Sequence, residues 1–199
     1  MLCSGENMFG QCGAGAGFGR GAMAAVPEVA GLDVAEVDGG YCHTVIRTGD
    51  GRVFTLGCGE DGQRGDGRLD EGRAPGEVSE VRLPCRRACA AVRAGLNHSL
   101  ALCDDGRVFA WGSNEMGQLG VPGDEGSSVP VAVPGVAGGV QISAGSTHSS
   151  VVDSAGRLWT FGSNESRQLL TADETDAGGP RVVAPPPTRD EAPHATCAG

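Results

Sequence analysis

Three histidines of this 199-residue chain are almost evenly spaced: His43, His98 and His148, at intervals of 55 and 50 residues. Each is followed by a hydroxyl, on Thr44, Ser99 and Ser149. A histidine beside a serine suggests a base and its nucleophile. Within one copy that chemistry fails, because adjacent side chains on a strand point to opposite faces. A shared metal ion fails too, since one histidine per repeat places the imidazoles in separate structural units. The expected role is structural, with each imidazole bonding backbone near the inner turns of its unit.

Other chemical signals recur with the same period and therefore read as architecture. Gly57-Cys58-Gly59-Glu60-Asp61-Gly62 has the spacing of a dinucleotide-binding loop. Its aligned copies, 112–117 and 162–167, read GSNEMG and GSNESR, so it is a turn. The chain has no lysine, which excludes the usual phosphate-binding loop. The acidic stretch 61–71 breaks the calcium-ligand pattern at Gly65 and again at Gly72, and reads as a solvated loop. Of the eight cysteines, Cys58 aligns with Ser113 and Ser163, and Cys103 with Thr48 and Asp153. No pairing scheme follows the repeat position by position, so free, mostly buried thiols are expected. Cys85 and Cys89 have zinc-like spacing but lack a second pair. The expectation is no catalytic residue, no cofactor and no metal.

The elements that carry these residues are short. Residues 98–103 and 107–111 are two apolar runs across Asp104-Asp105-Gly106, which reads as a β-hairpin. Gly51 and Gly156 fill the place of Gly106 in the other copies, and the second runs end at Gly57, Gly112 and Gly162. Phe109 and Trp111 share one face of the second strand, as do Phe54 with Leu56 and Trp159 with Phe161. Trp111 and Trp159 therefore read as core residues. Upstream strands are expected over 34–38, 90–93 and 140–143, each leading to the glycine of Gly-x-x-His: Gly40, Gly95 and Gly145. Downstream strands are expected over 26–29, 77–83, 129–133 and 181–184, most of them bordered by proline, which suits a sheet edge. Four short strands per tandem unit, with no long helical period, form the β-propeller pattern.

The joint pattern Gly-x-x-His-(Ser/Thr), then Gly-Arg-(Val/Leu)-aromatic-x-x-Gly-Ser-Asn-x-x-Gly-Gln-Leu-Gly, resembles the repeat of the regulator of chromosome condensation family. Residues 4–13 align with 111–120 and add a fourth, partial copy. The pattern departs at Arg167 and Leu170, which stand where Gly117 and Gly120 stand one repeat earlier. The resemblance implies a seven-bladed propeller with about fifty residues per blade. The chain then reads as all-β and as a single partial, open propeller of three to four four-stranded blades. Its repeats lie near 1–31, 32–86, 87–136 and 137–186, with a mobile end at 187–199. A closed ring of four blades is the alternative. Relatives that sense ultraviolet light use clustered tryptophans, which this spacing does not supply. The resemblance implies a non-enzymatic protein-interaction scaffold. Alternatives are a guanine-nucleotide exchange factor for a Ran-type small GTPase, and an inhibitor-like propeller that binds an enzyme.

Charge narrows the partners. The formal net charge is −10, from 25 acids and 15 arginines. Such a surface disfavours nucleic acid, whose binding rests on neutralising phosphates. No signal peptide and no apolar run of membrane-spanning length is visible. The expected partners are proteins, a small GTPase among them, and not nucleic acid or membrane, in the cytoplasm or nucleus. Apolar blade faces left open at the ends of the arc are expected to favour self-association.

Overall fold

The computed structural model describes residues 1–13, 20–69, 74, 76–86, 88–171 and 175–183. The tail 187–199, with Cys197, lies outside these residues. Two strands, β1 (Leu2–Gly5) and β2 (Arg20–Ala25), form a half-blade. Blade one contains β3 (Val34–Gly39), β4 (His43–Thr48), β5 (Val53–Gly57) and β6 (Ser79–Val81). Blade two contains β7 (Cys89–Ala94), β8 (His98–Cys103), β9 (Val108–Gly112) and β10 (Ser127–Ala132). Blade three contains β11 (Gly139–Ala144), β12 (His148–Asp153), β13 (Leu158–Gly162) and β14 (Ala177–Val182). Each sheet is antiparallel with its strands bonded in chain order, as expected for a propeller blade.

The central hairpins share one register. His43 pairs with Gly57, His98 with Gly112 and His148 with Gly162. Both faces of β8 and β9 are buried, because each sheet is covered by a neighbour on either side. Trp111 and Ala101 face blade one, in a cluster with Val45, Val53 and Val92. Leu100, Leu102, Val108 and Ala110 face blade three, in a cluster with Ile142, Val151 and Phe161. The alternation visible in the sequence thus becomes two distinct seams.

The outer strands depart from expectation. Residues 26–29 form no strand: Pro27–Val29 is a single 3-10 turn, and the fourth strand of the half-blade lies upstream at Arg20–Ala25. Proline without its N–H suits the first turn of a helix and not the middle of a ladder. Strands β10 and β14 begin earlier than the apolar residues suggest and carry register shifts against their neighbours. They are sheet edges, paired on one side only, so their bounds depend on the partner strand.

Antiparallel order sorts the connections between two ends. The turns joining the first and second strands lie at one end of the blades, with the loops joining the third and fourth. The hairpin turns at Gly51, Gly106 and Gly156 lie at the other. Among the described residues no helix is long and apolar enough to cross a membrane.

Candidate functional site in the blade seams and at one end of the propeller

Each seam is built around an imidazole. His43 is 1% exposed and its Nε2 lies 3.0 Å from Ser99 Oγ, in the next blade. His98 is fully buried, with Nε2 3.0 Å from Ser149 Oγ, again in the next blade. Ser99 donates its only proton to the carbonyl of Gln63 at 3.0 Å, and Ser149 donates to that of Gln118 at 2.8 Å. Each hydroxyl must therefore accept from Nε2–H, which sets the tautomer. Thr44 occupies the same place and donates to Gln11 O at 2.9 Å. The expected backbone partner is thus corrected: the imidazole meets a hydroxyl across the seam, and the hydroxyl meets the backbone.

This pairing is not a nucleophile with its base. The imidazole donates where a base would accept, and the serine proton is committed to a carbonyl. Burial pushes the His43 imidazole down to about 4 and that of His98 to about 3, while His148 is lowered in the same direction. Neutral imidazoles follow because the interior penalises the charged form. The three histidines occupy one blade each and share no ligand site. Among the described residues no group of three histidine, cysteine or acidic side chains could hold a metal ion.

The spacing of Gly-x-x-His has a steric reason. A β-carbon at Gly40, Gly95 or Gly145 would overlap the ring of the histidine three residues on. Gly57, Gly112 and Gly162 have φ of +104°, +105° and +104°, and a β-carbon there would overlap the backbone preceding that histidine. The turns at Gly51, Gly106 and Gly156 have φ of +80°, +79° and +77°. Trp111 is fully buried and donates from Nε1 to Gln63 O at 2.9 Å. Trp159 lies in blade three, half-buried, and donates to Asp153 Oδ2 at 2.9 Å.

Two features escaped the sequence reading. The stretch after Gly62 is not solvated throughout: Gln63 and Arg64 are each 1% exposed. Arg64 stands where Leu119 and Leu169 stand and binds the carbonyls of Gly57 and Glu77 and the Ser79 hydroxyl. The signal was the broken Gln-Leu-Gly at 63–65. The thiols are also not free. The structure pairs Cys3 with Cys12, Cys42 with Cys58 and Cys85 with Cys103, at Cα separations of 5.6, 5.5 and 5.8 Å, and leaves a buried Cys89. Two of these pairs follow the repeat as pairs of positions. Cys58 N donates to Cys42 O at 2.8 Å, as Ser113 N does to Asn97 O. Thr55 bonds to Arg64 where Cys3 faces Cys12.

The end that carries the Gly-x-x-His turns offers two surfaces. Near the inner strands lies a 360 Å³ concavity lined by Tyr41, Leu96, Ser146 and the glycine backbone before them. Tyr41 is 69% exposed. The turns are tied together across blades, Tyr41 N to Leu96 O at 3.1 Å and Leu96 N to Ser146 O at 3.0 Å. Further out, between blades one and two, lies a 380 Å³ groove. Its walls carry Glu60, Asp61, Glu115 and Asp124 beside Ser113, Asn114, Ser127 and Ser128. Those four carboxylates are exposed, and among the described residues no arginine lines the groove. The loop beneath is stiff: Asn114 Oδ1 accepts from Leu119 N at 3.0 Å, and its amide donates to Gly123 O at 2.8 Å.

Comparison with known proteins agrees with this architecture. The family model described as the regulator of chromosome condensation (RCC1) repeat matches residues 50–102 and 105–152. A second model of that repeat matches 89–118 and 140–168. The human protein named regulator of chromosome condensation is 34% identical over 116 residues, covering 57% of this chain and 26% of its own. The human WBSCR16 structure superposes with a TM-score of 0.78 at 24% identity, over 91% of this chain and 48% of that one. Prp20p from Saccharomyces cerevisiae, whose structure is described with its binding properties to Gsp1p and histones, gives 0.71 at 24% identity, over 79% and 40%. The chain thus spans less than half the length of each of these three proteins.

Proposed function

Because the chain belongs to the family of regulator of chromosome condensation repeat proteins, we propose that it is a non-enzymatic platform that binds a protein partner through the Gly-x-x-His end of its blades. The observation that supports this reading is the groove between blades one and two. Four exposed carboxylates converge on a cleft whose floor is held by the Asn114 side chain and whose walls, among the described residues, carry no arginine. Its charge complements a lysine- or arginine-rich segment. The histidines and their glycines set the blade spacing and so the width of the cleft. An arginine-rich peptide should bind the 199-residue chain in titration calorimetry. The joint variant E60Q/D61N/E115Q/D124N should weaken that binding about tenfold or more at low salt. The control D104N/D105N, at the opposite end, should leave it unchanged. Equal loss in both variants would point to diffuse charge attraction and sink the reading.

A second reading is nucleotide exchange on a Ran-type GTPase, which has one specific support. The structurally similar Prp20p is described as binding Gsp1p and histones. Release of a fluorescent guanine nucleotide from such a GTPase, accelerated by substoichiometric chain, would establish it. Binding with no acceleration leaves the platform reading alone.

A further inference from the structure

Arg167 and Leu170 hold φ of +58° and +57°, in the left-handed region that Gly117 and Gly120 occupy one blade earlier. The turn keeps its bonds: Arg167 N to Asn164 O at 2.8 Å and Leu170 N to Arg167 O at 3.2 Å. At the two preceding positions the glycines make room for the next blade. A β-carbon on Gly65 would lie 2.6 Å from Trp111 Nε1, and one on Gly120 would lie 2.9 Å from Phe161 Cδ2. A β-carbon on Gly62 would lie 2.7 Å from Ser128 Cα, and one on Gly117 would lie 2.7 Å from Gly178 Cα. A further blade with an aromatic at that place would collide with Leu170. The face needs a sheet with a small residue there.

One sheet of this chain has it. The position held by Leu56, Trp111 and Phe161 is Ser4 in the half-blade. Ser4 is exposed, and Leu2, on the same face at the Phe109 position, is 63% exposed where Phe109 is 2% exposed. Leu170 is 65% exposed, whereas Gly65 and Gly120 are buried. The four loop positions are Gly13, Gly65, Gly120 and Leu170, and the four strand positions are Ser4, Leu56, Trp111 and Phe161. One large loop residue and one small strand residue are left over, and they complement each other.

We propose that two copies of this chain associate head to tail, with the Leu170 face of blade three seated on the Leu2–Ser4 face of the partner copy's half-blade. Such a contact uses different surfaces on the two copies, and it closes only if the arc turns far enough. The chain follows the human WBSCR16 fold over 91% of its length while spanning 48% of that protein, so two arcs match its extent. Two such arcs would meet at two equivalent contacts, one at each Leu170 face. The half-blade carries no histidine strand among the described residues, so the contact rests on the apolar pair and not on an imidazole bridge. It does not depend on the partner proposed for the acidic groove.

Light scattering on the full 199-residue chain should give twice the 20.1 kDa chain mass. Ser4→Trp places two large residues against each other and should shift the population to monomer, by at least about tenfold in dissociation constant. Adding Leu170→Gly to Ser4→Trp recreates the glycine–aromatic pair of the internal seams and should restore the dimer. Circular dichroism of Ser4→Trp should match the parent, since position 4 is on the surface. A monomeric parent, or a Ser4→Trp variant that dimerises as tightly as the parent, overturns the proposal. So does failure of the double variant to recover when its strand content is unchanged.

Discussion

The seam between blades one and two and the seam between blades two and three share a frame and differ in filling. Both use a glycine, an imidazole and a hydroxyl at matching places, with both His–Ser distances at 3.0 Å. The first seam adds charge along its inner strands. Glu36 accepts from Val92 N at 3.1 Å and from Arg47 Nε at 3.1 Å, and it pairs with Arg93. Asp38 accepts from Ala94 N at 3.0 Å. One repeat later these places hold Ala91 and Arg93, and the second seam carries the larger apolar cluster, built on Leu100, Ile142, Val151 and Phe161, beside which the Trp111, Val45 and Val92 cluster of the first seam is small. Geometry therefore belongs to the repeated frame, while the surface between blades is free to be polar or greasy.

The largest effect should come from the apolar seam. Ile142, Val92 and Val37 are equivalent positions, 2%, 0% and 45% exposed. Ile142→Ala should cost about 2–5 kcal/mol and Val92→Ala about 1.5–3 kcal/mol. Val37→Ala should stay within about 0.5 kcal/mol. Urea denaturation of the three variants checks the gradient; equal losses would mean that the seams are energetically alike.

Gly112→Val tests the frame itself. It adds a side chain at φ +105° against the carbonyl of Asn97 and should destabilise by about 1–3 kcal/mol. An unchanged denaturation midpoint would show that the frame yields.

Ser99→Ala and Ser149→Ala sharpen the comparison. Each strands a buried imidazole N–H and a carbonyl, so each should cost about 1–3 kcal/mol, and the two should agree because the bridge is common to both seams. A large disparity would mean that the surrounding filling decides the worth of the bridge.

Acid should act on both seams through the same groups. The folded imidazoles of His43 and His98 are depressed to about 4 and about 3. The unfolded chain binds these protons first as pH falls below about 6.5. Stability is therefore full above that pH and falls by about 1.4 kcal/mol per unit per histidine toward the folded values. Midpoints measured from pH 7 to pH 4.5 should decline. His98→Gln should flatten the decline, and an identical slope would refute the linkage.

The smallest effect should belong to the charged filling. Burial alone would raise the Glu36 carboxyl, but hydrogen bonds from Arg93, Arg47 and Val92 outweigh it and hold the group low. Its contribution is present above the carboxylate range and is lost as pH falls through it. Glu36→Ala should cost about 1 kcal/mol, with no counterpart for Ala91→Gly beyond ordinary strand propensity.

Much of this was legible in the sequence for a local reason. Strand alternation, hairpin turns and the glycines beside each histidine act within a few residues, so their pattern repeats visibly at 52–57, 107–112 and 157–162. The outer strands were less legible because an edge takes its bounds from one partner, as β14 does at Ala177. The sequence alone thus determined the blade unit and its repetition. Only the tertiary structure decided what meets across a seam. His43 and Ser99 are 56 residues apart, and no local period announces their contact. The cysteine pairs obey the same rule: Cys42 and Cys58 look irregular as single positions and become regular once the hairpin sets their positions opposite each other. Arg64 was hidden because its burial depends on three acceptors gathered by folding. Leu170 reads as a lapse from the repeat until the internal seams show that its equivalents, Gly65 and Gly120, make room for Trp111 and Phe161. Local sterics are written residue by residue, whereas complementarity between blades exists only after the chain has brought distant copies together.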